Sequence, residues 1–343
     1  MAFPLRTILV PPLIRIKAKA LDRLPVYIKR ANYQRVIALV SDGLPAPVRQ
    51  TVEGFGWARV IKAEQASLEW LDSVPWTDQP YDAVCGIGGG KALDLAKFLA
   101  FRLNLPYLAV PTSLSNDGFC SPGASLSSGG KKVSLAARLP VGVVVDLEIV
   151  GGAPEHLFLS GVGDLVSKRT AIRDWKIAFH QAGTPFDDLA ALLSDGSVFL
   201  FMARPTRDIE GTRLLAQALL LNGVAMEIAG NSRPASGSEH LISHALDQIG
   251  EDIRGHGLQV GLATYWMARV QEQAIDDIDQ LFERTGFWRY WKEQPMKRAL
   301  WQEALELAPS IKKEFVTVLD TPGARERAFS LLQSDPRLTD SLV

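Results

Sequence analysis

Cysteine is scarce in this sequence: Cys85 and Cys120 are the only two, and no Cys-x-x-Cys occurs. A disulfide scaffold is excluded, and both residues read as small buried hydrophobes, Cys85 within an apolar strand. Net charge is nearly absent as well. Lys and Arg total 37 against 38 Asp and Glu, a formal balance of -1, so nothing indicates a basic surface for nucleic acid. No stretch reaches the roughly 18 apolar residues of a membrane helix, and no membrane insertion is expected. The opening MAFPLRTILVPPLIRIKAKA has a short apolar run broken by Pro11 and Pro12. It lacks the long apolar region and cleavage site of a secretory leader, which makes the cytoplasm the expected compartment. Internal repeats and low-complexity linkers are missing too.

What remains is ordinary globular material, 47% hydrophobic over 343 residues, which is long enough for about two domains. Unbroken apolar runs at 35–40, 57–62, 81–87, 105–110 and 141–146 predict strands, and 91–103 predicts an amphipathic helix. Such runs alternating with helices indicate a mostly parallel sheet covered on both faces. Beyond about residue 155 the strand-like runs stop. Helical patterns follow at 163–180, 185–201, 207–229, 238–249 and 257–274 and on to the end. The expected architecture is an α/β domain over 1–155 and an all-helical domain over 156–343, with ligands bound in a cleft between them. The leucine- and tryptophan-rich helical half also has the composition to form a homo-oligomer.

The string CGIGGGKALDLAKF sets Gly86, Gly88, Gly89 and Gly90 between a strand and a helix. Glycines there let main chain approach a ligand, and the helix N-terminus offers free N–H groups; a pyrophosphate suits both. The spacing is neither Gly-x-Gly-x-x-Gly nor a P-loop, since Ala92 follows Lys91. After the next strand comes AVPTSLSNDGFCSPGASL, whose Thr112, Ser115 and Ser121 form a polar rim. Loops at the carboxyl ends of strands line the ligand crevice of an open sheet. Asp42, at another strand end, is placed to accept from an adenosine ribose, which would favour NAD over NADP.

Three residues in the helical half stand near helix starts: Asp164 in GVGDLVSK, His240 in SGSEHLISH and His256 between two glycines. One carboxylate and two imidazoles suit zinc, iron(II), nickel or manganese and leave positions open for water or substrate. The gaps of 76 and 16 residues match no short metal motif. His244 follows His240 by four residues and shares its helix face, as a further ligand or a proton-passing group. His156 and His180 have no such setting.

The strings GIGGGKALDLAKFLAFRLNLPYLAVPTSLSNDGFCSPGASL, GVGDLVSKRTAIRDW, GVAMEIAGNSRPASGSEHLISHALD and GHGLQVG resemble the sn-glycerol-1-phosphate dehydrogenase family. That family lies within the superfamily of iron-containing alcohol dehydrogenases, glycerol dehydrogenases and dehydroquinate synthases. The resemblance implies a dehydroquinate synthase-like fold. It implies metal ligands at Asp164, His240 and His256, and dinucleotide contacts at Gly88, Gly89, Gly90, Thr112 and Ser115. It also implies a substrate-side aspartate at Asp117, and reduction of dihydroxyacetone phosphate to sn-glycerol 1-phosphate by NADH or NADPH with zinc or nickel. Asn116 stands where the family commonly has histidine, and Leu258 where it often has glutamate. On this reading water or His244 passes the final proton, Asp117 holds a substrate hydroxyl, and Lys168 and Arg233 are the candidate cations for the phosphate. Three rivals are weighed against it: a glycerol or other polyol dehydrogenase, a dehydroquinate synthase-like cyclase, and a non-catalytic nucleotide-binding protein.

Overall fold

A computed structural model describes residues 8–76 and 80–343. The first seven residues of the opening segment considered above lie outside that range. The chain divides into two compact units. One runs up to Ser113 and resumes over Gly118–Gly152; the other holds Leu114–Asp117 and Ala153–Val343. The division falls three residues before the expected boundary at 155. It also assigns a four-residue piece of the polar rim to the helical unit.

The sheet unit carries β1 (Leu13–Lys17), β2 (Val36–Val40), β3 (Arg59–Lys62), β4 (Ala83–Gly88), β5 (Tyr107–Pro111), β6 (Gly123–Ser128), β7 (Lys131–Ala136) and β8 (Gly142–Asp146). Its helices are α1 (Leu24–Arg30), α2 (Ala46–Glu53), α3 (Leu68–Ser73), α4 (Gly90–Leu103) and α5 (Leu147–Gly151). Six strands pair in parallel in the order β1-β8-β5-β4-β2-β3. In β2, β4, β5 and β8 every residue is buried. Successive side chains point to opposite faces, so burial at every position means that both faces are covered. The edges β1 and β3 instead carry exposed charges, Lys17 and Lys62 among them, which discourages further strand pairing.

Chain order reverses beside β2: β3 flanks it on one side and β4 on the other. Ligands of open α/β sheets bind outside the carboxyl ends of strands at such a reversal. Asp42 follows β2 and Gly88 ends β4, so both sit at that point.

Two features were not expected. β1 is short, follows a Pro-Pro pair and alternates with Arg15 and Lys17. The polar stretch read as one loop contains the antiparallel β6–β7 hairpin. Gly129 and Gly130 both have positive φ at its turn, as a two-residue hairpin turn requires. Its strands are rich in serine and lysine, and in β6 only Ala124 and Leu126 are buried, so little apolar pattern marks them.

The helical unit comprises α6 (Glu155–Val166), α7 (Lys168–Ala182), α8 (Asp188–Met202), α9 (Ile209–Ala229), α10 (Ser238–Ile249), α11 (His256–Val270), α12 (Asp276–Thr285), α13 (Phe287–Glu293), α14 (Arg298–Ile311), α15 (Ala324–Ser334) and α16 (Pro336–Ser341). The helix expected over 163–180 is two, parted at Ser167. Trp175, Trp266, Trp291 and Trp301 are fully buried, so these tryptophans build the core and cannot supply an oligomer surface. Leu189, Leu192 and Phe199 of α8 are exposed.

α6 and α11 meet at backbone distance. A Cβ on Gly163 would run into the main chain of Gly257 and Gly261, and one on Gly257 into the carbonyl of Ser160. These glycines adjoin Asp164 and His256, so the close crossing is what brings those two side chains to one place.

Candidate metal centre and dinucleotide loop

Asp164 is the hub of the helical site. It is 1% exposed. Its Oδ2 accepts the backbone N–H of Asp117 at 3.0 Å and lies 3.5 Å from Lys168 Nζ. Its Oδ1 lies 3.7 Å from His240 Nε2 and 3.9 Å from His256 Nε2. One oxygen is thus held by protein donors while the other faces two imidazole nitrogens. Asp164, His240 and His256 each offer a ligand atom within 4.8 Å of the others. Burial opposes the charge on Asp164, but Lys168, His240 and His256 outweigh it and hold the carboxyl below its usual range.

Both imidazoles have their far nitrogen engaged. His240 Nδ1 lies 2.8 Å from Glu239 Oε1; the carboxylate can only accept, so Nδ1 donates. Glu239 is itself fully buried and accepts from Gly237 N at 2.6 Å and Thr170 Oγ1 at 2.7 Å. Burial works against the imidazolium of His240, yet hydrogen bonding to Asp164 and Glu239 pushes its pKa up to about 9. A metal would displace the proton on Nε2. His256 Nδ1 lies 3.2 Å from Ser243 Oγ.

The donor set fits a divalent cation on its own chemistry. It has two nitrogens and one carboxylate oxygen, and a carboxylate behind His240 and a hydroxyl behind His256 engage each Nδ1 and leave Nε2 toward Asp164. His244 is half-buried; its ring stacks on that of His256 at 5.7 Å and is tilted to that of His240 at 6.3 Å.

Lys168 and Arg233 lie in settings other than those expected. Lys168 is fully buried and pairs with Asp117 Oδ2 at 3.0 Å, besides donating to the Asp164 carbonyl at 2.7 Å. Burial lowers its pKa, but Asp117 and Asp164 raise it further. Its donors are used within the protein, which leaves no N–H for a phosphate. Arg233 is 4% exposed; it donates to the Val316 carbonyl at 2.6 Å and lies over the Phe315 ring at 3.5 Å. That is an internal anchor. Asp117 is raised by burial first and by Asp164 next, with Lys168 opposing both.

The segment Leu114–Asp117 joins the helical unit through definite contacts. Ser160 Oγ donates to the Ser115 carbonyl at 2.9 Å and accepts from Gly257 N at 3.1 Å. A Cβ on Gly161 would strike the Leu114 carbonyl. Ser115 is therefore set against α6, where that helix meets α11, and not in the sheet unit. The departure at Leu258 is buried at 1% exposure, a core position where glutamate would need a partner. Asn116 is half-buried.

In the sheet unit, α4 begins at Gly90 with no side-chain cap, so its first N–H groups are available to an anion. Gly88 has φ of 144° and packs on Ser41, whose Oγ accepts Gly89 N at 3.2 Å. Nothing lies within 4 Å of where a Cβ would stand on Gly89 or Gly90. Thr112 N donates to the Gly88 carbonyl at 3.0 Å, tying the loop to β5. Asp42 is exposed, and Arg49 donates to its carbonyl at 3.3 Å.

Ser121 is placed differently from the other rim residues. It is buried, and its Oγ accepts from Lys97 Nζ at 3.0 Å. Lys97, 1% exposed, also donates to the carbonyls of Gly118 at 2.5 Å and Gly123 at 2.6 Å. Ser121 thus helps an internal ammonium hold the loop against α4. Sequence reading missed Lys97, Glu239, Ser243 and Gln259. Helical spacing marks two of them, Gln259 three residues after His256 and Ser243 three after His240.

These features define a class. Residues 15–154 match the family of iron-containing alcohol dehydrogenases. The solved glycerol dehydrogenase of Schizosaccharomyces pombe has the same fold (TM-score 0.72, 18% identity, 98% of this chain and 91% of that one). So does an iron-containing alcohol dehydrogenase of Thermotoga maritima (TM-score 0.67, 16% identity, 94% and 98%). The fold is therefore the α/β sheet followed by helices of the dehydroquinate synthase-like class.

Sequence likeness narrows the class. The glycerol-1-phosphate dehydrogenase (NAD(P)+) of Pyrococcus furiosus is 39% identical over 315 residues, 88% of this chain and 90% of the relative. That of Archaeoglobus fulgidus is 31% identical over 343 residues, 95% and 97%. The chain belongs to the glycerol-1-phosphate dehydrogenase family.

Proposed function

We propose that this protein is a metal-dependent oxidoreductase that reduces dihydroxyacetone phosphate to sn-glycerol 1-phosphate with NADH or NADPH, reversibly. The observation that carries the reading is the meeting of Asp164 Oδ1 with the Nε2 atoms of His240 and His256 in a chain of this family. A divalent ion held there, zinc or nickel before iron, would act as a Lewis acid on the ketone. The nicotinamide would supply the hydride.

The rest falls to the chain's own residues. Gly88, Gly89 and Gly90 with the start of α4 bind the pyrophosphate, Thr112 steadies that loop, and Asp42 receives the adenosine ribose. Asp117, kept in place by Lys168, holds a substrate hydroxyl. His244, beside His256, passes a proton to the substrate oxygen. The phosphate is bound by groups other than Lys168 and Arg233. Among the described residues no helix is long and apolar enough to cross a membrane, in keeping with a cytoplasmic enzyme. A homo-oligomer is the proposed working form, with support in the exposed side chains of α8; sedimentation of the metal-loaded protein tests it.

The test of the reaction offers zinc-loaded protein dihydroxyacetone phosphate and dihydroxyacetone in parallel, following NADH and NADPH loss separately. Preference for the phosphate ester is expected. Preference for the unphosphorylated ketone would make the protein a polyol dehydrogenase.

A further inference from the structure

We propose that Ser243 and Gln259 are positioning residues that lock His256 in its metal-binding tautomer. The proposal rests on the reading of Asp164, His240 and His256 as the metal ligands. Both residues are fully buried. Ser243 Oγ donates to Gln259 Oε1 at 2.9 Å and lies 3.2 Å from His256 Nδ1. A hydroxyl has one proton. Given to Gln259, it is not there for the ring, so Ser243 must accept and His256 must carry its proton on Nδ1. The lone pair is then on Nε2, the nitrogen that faces Asp164 Oδ1.

The orientation of the Gln259 amide decides this. With its NH2 turned to Ser243, the amide would donate to the hydroxyl and free the hydroxyl proton for Nδ1. The ring proton would then sit on Nε2, in the ion's place. With the oxygen at Ser243, Gln259 Nε2 is buried with no hydrogen-bond partner. A buried donor without a partner is a cost, so the proposal requires that the hydrogen bond from Ser243 to the Gln259 oxygen, and the Nε2 lone pair it secures on His256, outweigh it.

The relay differs from the one behind His240. There a carboxylate, Glu239, accepts the ring N–H directly and admits one arrangement only. Behind His256 the chain is neutral and two-step, and its direction depends on a residue that never touches the imidazole.

The test measures the zinc dissociation constant of the whole chain by competition with a chromophoric chelator. It adds 15N spectra of His256 in the metal-free protein. Gln259→Met removes the acceptor; the dissociation constant should rise about 10- to 100-fold, and the ring proton should move toward Nε2. Gln259→Glu keeps an acceptor and should restore both. Ser243→Ala, a second route should the first variant fold poorly, should weaken zinc similarly. Asp164→Ala serves as the control. If it keeps zinc, the ligand reading itself falls. If it loses zinc while Gln259→Met binds as the parent does, the relay alone falls. An unmoved ring proton, or a Gln259→Glu as weak as Gln259→Met, overturns the relay too.

Discussion

At Gly88–Gly90 the sheet unit offers main chain and open space; at Asp164 the helical unit offers buried side chains whose partners are fixed. The loop has no Cβ to block a ligand at Gly89 or Gly90, and no side chain caps α4. The carboxylate–imidazole cluster reverses this. Lys168, Glu239, Ser243 and Gln259 stand behind the candidate ligands, and all four are fully buried without being ligands themselves. A pyrophosphate needs several weak donors on a path it can approach. A metal needs few donors at fixed positions, which demands a rigid surround.

The sharpest way to break the comparison is to damage one site and read both. Asp164→Ala removes the hub ligand. Turnover should fall by roughly a thousandfold or more, since Lewis-acid assistance is worth several kcal/mol. Metal per chain, read by elemental analysis, should fall toward zero. Dinucleotide affinity, read by NADH fluorescence, should hold. A parallel loss of dinucleotide would show that the two sites are not separable.

The difference also governs what could be read without coordinates. The loop was legible because its chemistry is local: four glycines between an apolar strand and a helix announce close approach. The central strands were legible because burial on both faces demands unbroken apolar runs. The metal trio is spread over 92 residues, from 164 to 256, so spacing alone matched no motif, and the family resemblance carried that assignment. The supporting shell was illegible. Lys168 looked like a free cation because sequence showed its helical spacing from Asp164 but not Asp117 arriving from the loop. Arg233 and Ser121 misled for the same reason: polar residues beside a site are as readily internal anchors. The β6–β7 hairpin escaped because a serine-rich strand has too few apolar positions to show its period.

Lys168 gives the next largest effect. Lys168→Met leaves the buried carboxylate of Asp164 and the half-buried one of Asp117 without their shared cation. Breaking a buried pair on one side typically costs about 3–5 kcal/mol, and urea unfolding of the metal-free variant should show a loss of that order. A surface cation serving the phosphate would instead raise KM for the phosphate ester and leave stability alone.

Gly88→Ala probes the other region. Here φ of 144° and contact with Ser41 leave no room for a Cβ. Strain of about 1–3 kcal/mol is expected, and NADH affinity should drop about tenfold as the loop shifts. Zinc affinity should not change. Retained NADH affinity would mean that the loop's shape is not what binds the dinucleotide.

The smallest effect is expected at Asp42. It is exposed and follows β2, which pairs with β4, the strand that ends at Gly88. Two unit charges 4 Å apart in water interact by about 1 kcal/mol, and by more near a protein surface. A carboxylate there should therefore disfavour the 2′-phosphate of NADPH by roughly five- to tenfold relative to NADH. Asp42→Ala should lower KM for NADPH by about that factor, raise KM for NADH modestly through the lost ribose contact, and leave Tm unchanged. Arg49 bears on the sign. It already donates to the Asp42 carbonyl, so with the carboxylate gone its positive charge is no longer opposed and should draw the phosphate in. Arg49→Ala combined with Asp42→Ala should then cancel the gain for NADPH. Unchanged cofactor preference in both variants would remove Asp42 from the dinucleotide site and leave recognition in the sheet unit to the glycine loop.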